Sequence, residues 1–202
     1  MPSHQYINSK SEYYLGVDPS RKGNDETAFV IIEQPAFASE EDPIYVVYIE
    51  TTQKTELTDT IGRVLHLNSI FDFKKIVIDE TGLGSGVVDV LKEKIQGGII
   101  EGVTFSRKSK AELFYSLKLL MQQSKIKFPN YLTNNNLNCK KLFYQFLSIS
   151  QEFSSNSELP KIFHEDNAHD DIVCSLALAV WPFRPAKMHR RSLCIAGTTK
   201  RY

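Results

Sequence analysis

The run "KKIVIDETGLGSGVVDVLKE", residues 74–93, leaves the chain little choice of fold. "KIVID" (75–79) is short and continuously apolar, as a strand covered on both faces must be. "SGVVDVLKEKI" behind it has the apolar period of a helix. Between them stand Asp79, Glu80 and the glycines Gly82, Gly84 and Gly86. A buried strand that turns at once into a helix belongs to an α/β layer structure, and ligands collect at the carboxyl ends of such strands.

The neighbouring segments fill in the layers. "YYLGVD" (13–18), "ETAFVIIE" (26–33) and "IYVVYIE" (44–50) are rich in β-branched and aromatic residues and read as an antiparallel meander. A helix is predicted over 55–71, capped by Thr55, and a fifth strand over 99–105. Residues 109–123 predict an amphipathic helix with Ser109 and Glu112 as a capping box, and 134–153 a second long helix. The last helix is expected over 169–181, stopped by Pro182. If the first strand lies beside the fourth, the carboxyl ends of both meet at one sheet edge.

Two nucleotide-binding readings fail on spacing. The glycines run G-x-G-x-G, with Val87 where the third glycine of a dinucleotide fingerprint belongs, and the unit lies mid-chain. No G-x-x-x-x-G-K-[ST] occurs. Cys139, Cys174 and Cys194 are odd in number and scattered, which argues against a disulfide framework or a zinc site and for a reducing compartment. No apolar run reaches the ~18 residues of a membrane span, and the first residues lack a signal-peptide pattern.

The net charge is zero but unevenly placed. Arg107, Lys108, Lys110, Lys118, Lys125 and Lys127 face one acid, Glu112, between residues 106 and 128, and the tail from 183 to 202 carries six basic residues and no acid. The acids gather at Asp18, at Asp79-Glu80 and between Glu165 and Asp171. Basic patches beside acidic clusters suit a protein that holds a polyanion and acts on it through metal.

Asp18 ends the first strand, Asp79 ends the fourth, and Asp170-Asp171 opens the last helix. Adjacent strands lie roughly 4.8 Å apart, so carboxylates at matching ends converge. They would repel one another and raise a pKa unless a divalent cation intervened. Each acid has a plainer reading: Asp18 before Pro19, Asp79 and Glu80 can open turns, and Asp170 can cap the helix. Together they favour a shared site for Mg²⁺ or Mn²⁺, where two ions act on a phosphodiester. Either Asp170 or Asp171 is geometrically able to face it, because both share a helix face with Cys174.

"LGVDPSRKGNDETAFVII", "KIVIDETGLGSGVVDVL", "SRKSKAELFYSLKLLMQQSKIKFP" and "AHDDIVCSLALAVW", in that order, resemble the C-terminal nuclease domain of phage large terminase subunits. The resemblance runs from about Tyr13 to Trp181. It implies a ribonuclease H-like α/β fold, with a mixed central sheet of a three-stranded antiparallel meander plus parallel strands, flanked by helices. It implies an endonuclease that cuts concatemeric viral DNA during packaging. It assigns the metal-ligand positions to Asp18, Asp79 and Asp171, with Asp170 as rival for the third. Glu80, Asp25 and His169 are then supporting or alternate residues, and Arg107, Lys108 and Lys110 contact DNA backbone phosphates. Double-stranded DNA, the terminase ATPase domain, the small terminase subunit and the portal are the implied partners, in the host cytoplasm and away from membranes.

The expected organisation is a loose segment 1–12, a nuclease domain 13–182 and a basic tail 183–202. The missing ATPase motif leads us to expect that the chain is part of a longer protein. The rival readings are a Holliday-junction resolvase or ribonuclease H, and a non-catalytic docking module of a packaging motor.

Overall fold

The computed structural model describes residues 8–20, 26–39, 42–53, 56–129, 137–152, 160–164 and 169–184. The basic tail beyond Arg184, Thr55, Asp25 and most of the expected N-terminal segment lie outside the described residues. Three strands come first: β1 (Glu12–Asp18), β2 (Glu26–Gln34) and β3 (Ile44–Gln53). Then follow α1 (Leu57–Phe71), β4 (Lys75–Asp79), α2 (Gly84–Lys94), β5 (Ile100–Val103), α3 (Arg107–Gln122) and β6 (Ile126–Lys127). The chain closes with α4 (Leu137–Ser148), the hairpin strands β7 (Ile149–Glu152) and β8 (Lys161–His164), α5 (Asp171–Ala179) and a 3₁₀ turn, Trp181–Phe183.

The six-stranded sheet has the order β5-β4-β1-β2-β3-β6. The β1–β2 and β2–β3 pairs are antiparallel, and β1–β4, β4–β5 and β3–β6 are parallel. This is the mixed sheet expected, with five described helices on its two faces. Alternation along the strands divides the core. Leu15, Val17, Phe29, Ile31, Ile76 and Ile78 point to one face, against α1 and α2. Tyr14, Val30, Ile32 and Val77 point to the other, where α3, α4 and α5 pack.

That parity decides where the strand-end acids go. Val17 lies opposite Ile78 in the parallel β1–β4 register, so Asp18 and Asp79 end their strands side by side. Asp18 shares the parity of Tyr14, and Asp79 that of Val77, so both carboxylates belong to the α5 face.

At Gly16 the backbone of α5 lies directly against the backbone of β1. A methyl group at Gly16 would fall on the Ser175 carbonyl oxygen and against the Ala179 nitrogen. Ser175 Oγ instead donates to the Gly16 carbonyl at 2.9 Å. Every residue of α5 after Asp171 is buried, as expected for a helix apolar all round.

The helix ends differ from the sequence reading for local reasons. α3 begins at Arg107 rather than Ser109, because Ser106 is its N-cap and Ser109 completes the capping box from position N3. Glu112 takes no part and lies 3.9 Å from Lys108. α1 opens at Leu57, with the Glu56 N–H donating to Asp59. The helix predicted to reach 153 stops at Ser148, and its last residues pair as β7 with β8. The last helix ends at Ala179, and Pro182 lies inside the 3₁₀ turn.

Gly16→Ala is expected to destabilise the domain by about 3 kcal/mol or more, because the obstacle is helix backbone that no rotamer can move aside. Urea unfolding followed by circular dichroism checks this, with Gly62→Ala, where a methyl group meets open space, as the near-neutral comparison.

Candidate functional site

Asp18, Asp79, Asp170 and Asp171 converge at the carboxyl ends of β1 and β4. Burial pushes the Asp18 carboxyl well above the usual carboxylate range, and the charges of Asp79, Asp171 and Asp170 push it further; Lys110 opposes them. Asp79 is also raised, again through burial, with its hydrogen bonds to Thr81 and the Lys110 charge acting the other way.

Asp79 does hold a turn: its Oδ1 accepts from the Thr81 N–H at 2.8 Å and the Thr81 hydroxyl at 2.6 Å. Those bonds leave Oδ2 for the cluster and fix the carboxylate plane. After Asp18 the chain is tied by Ser20 N–H to Thr27 Oγ1 at 3.0 Å. Asp170 occupies the N-cap position of α5 but makes no side-chain cap bond. Gln145 of α4 does that work, its Oε1 accepting from the N–H groups of Ile172 and Val173 at 3.0 and 3.2 Å. Asp170 is thereby released to accept from Lys110 Nζ at 2.8 Å.

Asp171 Oδ2 accepts from the Glu26 N–H at 3.3 Å, which ties the head of α5 to the start of β2. His169 Nδ1 stands 3.8 Å from the same oxygen. Glu80 turns away along β5, where its carboxylate lies over Gly102 and accepts from Thr104 Oγ1 at 2.9 Å. Of the three basic residues assigned to DNA, Arg107 and Lys108 open α3 with exposed side chains. Lys110 points inward, onto the acids. Gln145 and the Lys141–Glu26 ion pair at 2.8 Å went unnoticed in the sequence, and Lys110, expected to contact DNA phosphates, instead meets Asp170. A buried glutamine on an amphipathic helix carries no sequence signal; a lysine four residues past a capping serine carries only a weak one.

The glycine turn serves the same end of the sheet. Gly82 takes φ +61°, and a methyl group at Gly84 would fall on the Asp79 carbonyl oxygen. The turn therefore brings the start of α2 directly against the strand end that carries Asp79.

All four carboxylates are hard oxygen donors of the kind Mg²⁺ and Mn²⁺ prefer. As the side chains stand, no group of three His, Cys, Asp or Glu among the described residues is disposed to hold an ion. The cation lying with the acids is the Lys110 ammonium. The Cys174 thiol borders the cluster from α5, pushed up by burial and then by Asp18 and Asp170.

Residues 15–180 match the terminase RNaseH-like domain. The chain belongs to that family. No curated protein is similar enough in sequence to match. Among solved structures, the large terminase nuclease of thermophilic phage G20c with bound magnesium superposes with a TM-score of 0.67 at 20% identity, over 86% of this chain and 82% of that one. The nuclease domain of the large terminase of bacteriophage SPP1, with bound Mn, gives 0.54 at 18% identity, over 88% and 93%. The HK97 bacteriophage large terminase gives 0.63 at 13% identity, over 86% of this chain and 40% of that one. At such identities the likeness is one of fold.

For this terminase domain the acid cluster makes a signed prediction. Between the ordinary aspartate pKa and its raised folded value, Asp18 holds a proton that the unfolded chain has released. Metal-free stability must then fall as pH rises through that window. Asp18→Asn should flatten the fall and raise the melting temperature in EDTA at neutral pH, read by thermal melts from about pH 4 to about pH 8.

Gln145→Leu should destabilise by roughly 1–3 kcal/mol, because two buried N–H groups lose their acceptor. Urea unfolding checks the magnitude.

Proposed function

We propose that this domain is a metal-dependent endodeoxyribonuclease that cuts concatemeric viral DNA during genome packaging, using two divalent ions, Mg²⁺ or Mn²⁺. The observation that carries the reading is the convergence of four carboxylates on one site of a terminase-family chain. Burial and neighbouring charges penalise ionised Asp18 and Asp79, and divalent cations would remove the penalty. The magnesium in the G20c nuclease and the Mn in the SPP1 nuclease domain support this choice of ions.

Asp18, Asp79 and Asp171 would hold the ions, with Asp170 as the rival third ligand. When bound, such ions activate the attacking water and neutralise charge at the scissile phosphate. The protein's own contribution is position. Asp18 and Asp79 are fixed on adjacent strands, Thr81 locks the plane of the Asp79 carboxylate, and the Glu26 N–H orients Asp171. His169 flanks the site and Glu80 is turned toward Thr104; Asp25 is a supporting residue by family resemblance alone.

Arg107 and Lys108 would bind backbone phosphates of double-stranded DNA at the start of α3. Such contacts carry no sequence information, so cutting should be weakly specific. In the full assembly the partners are the ATPase domain, the small subunit and the portal, in the host cytoplasm.

Supercoiled-plasmid cleavage tests the proposal. Nicking or linearisation should require Mg²⁺ or Mn²⁺ and stop in EDTA. Asp18→Ala, Asp79→Ala and Asp171→Ala should each lower the rate at least about a hundredfold, about 2.7 kcal/mol of barrier. Folded protein that cuts in neither metal would instead favour the docking module. Preference for four-way junctions or RNA–DNA hybrids would favour a resolvase or ribonuclease H.

A further inference from the structure

The Lys110 side chain lies where a surface lysine would not. Its stem leaves the second turn of α3, and its Nζ reaches Asp170 Oδ2 on the head of α5 at 2.8 Å. The rings of Phe105 and Phe114 stand 5.9 and 5.8 Å from the ammonium. The lysine side chain is 24% exposed and that of Asp170 15%. The ammonium's charge is felt at Asp18 and Asp79 as well. The ammonium thus bonds Asp170 and acts on Asp18 and Asp79 in a partly dry setting, where charge interactions are stronger than in water.

An isolated cluster of four carboxylates would push itself apart, and each member would shed its charge by binding a proton. An ammonium among them relieves part of that repulsion. The same ammonium must also repel any divalent ion that approaches the same oxygens, by the same Coulomb law.

From this geometry we infer that Lys110 is a built-in counter-cation of the acid site, which holds the carboxylates together without metal and is displaced when divalent ions bind. The inference rests on the metal-site reading above and adds a regulatory property to it. The aromatic pair gives the displaced ammonium a favourable place to rest, since an alkylammonium is attracted to ring faces. Metal affinity is then set by exchange of one cation for another, and not by the carboxylates alone. Lys110 is a positioning residue in this account. It acts on the acids, and its effect must appear in metal binding itself.

The experiment is titration of the folded protein with Mn²⁺ by calorimetry at low salt, with thermal melts in EDTA alongside. Lys110→Met keeps an unbranched stem between the two phenylalanines and removes the charge; Lys110→Arg keeps the charge. Lys110→Met should bind Mn²⁺ about tenfold more tightly, since one nearby positive charge no longer opposes the ion. Its melting temperature in EDTA should fall, and its gain on adding Mn²⁺ should exceed that of the wild type. Lys110→Arg should stay within about twofold of the wild type. Asp79→Asn in either background should remove the binding, which locates it at this site.

Mn²⁺ binding to Lys110→Met that is equal to or weaker than wild type overturns the inference while leaving the metal site intact. Absence of Mn²⁺ binding by the wild type and Lys110→Met alike overturns the metal-site reading and this inference together. The two failures are therefore distinguishable.

Discussion

Everything at the acid site depends on backbone touching backbone where α5 crosses β1. At Gly16 the strand offers no side chain, and the carbonyl oxygen of Ser175 occupies the space a methyl group would take. The Ser175 hydroxyl then closes the contact with a hydrogen bond to the Gly16 carbonyl. Two residues beyond Gly16 the strand ends in Asp18, and one turn before Ser175 the helix begins with Asp171. The close approach therefore fixes the distance between a strand-borne and a helix-borne carboxylate. A helix held off by larger side chains would stand a few ångströms further away, as packed helices ordinarily do.

This arrangement sets a charge problem that the surrounding residues share. The acids are packed in a partly dry place, so the ionised forms of Asp18 and Asp79 are disfavoured and Asp18 is pushed far up. Three of the four carboxylates are restrained by something other than their neighbours: Asp79 by Thr81, Asp171 by the Glu26 N–H, Asp170 by Lys110. Gln145 matters because it takes over the capping task that Asp170 would otherwise perform. Restraint without neutralisation leaves a site that favours added positive charge. That property suits the divalent ions proposed for the site.

Much of this was legible in the chain. The boundaries of β4, residues 75–79, follow from three apolar residues set between Lys75 and Asp79, with a glycine turn behind them. The mixed sheet follows from three β-branched runs ahead of alternating helices and strands, whereas the neighbouring of β1 and β4 entered the sequence reading only as a condition and is decided by the parallel β1–β4 pairing. The ends of the helices were less legible. Ser106 and Ser109 compete as caps for α3, and only the geometry of Thr104, whose carbonyl accepts from the Ser109 hydroxyl, decides between them. The segment "FLSISQE" satisfies a helical and an extended pattern alike, and its pairing with 161–164 is a long-range choice.

The sequence by itself determined β1 to β5, the five helices short of their exact ends, the family and the four aspartates, because strand and helix periods and strand-end acids are local properties written in neighbouring residues; β6, β7 and β8 exist only through pairing with other segments. Tertiary structure alone decided how those acids are used. Whether Asp170 caps a helix or meets a lysine depends on a glutamine 25 residues earlier, by count from Gln145 to Asp170, on another helix. Whether Lys110 faces solvent or carboxylates depends on how α3 leans on α5. Such pairings are made across the core between residues distant in the chain, and their energies exist only once the helices have docked.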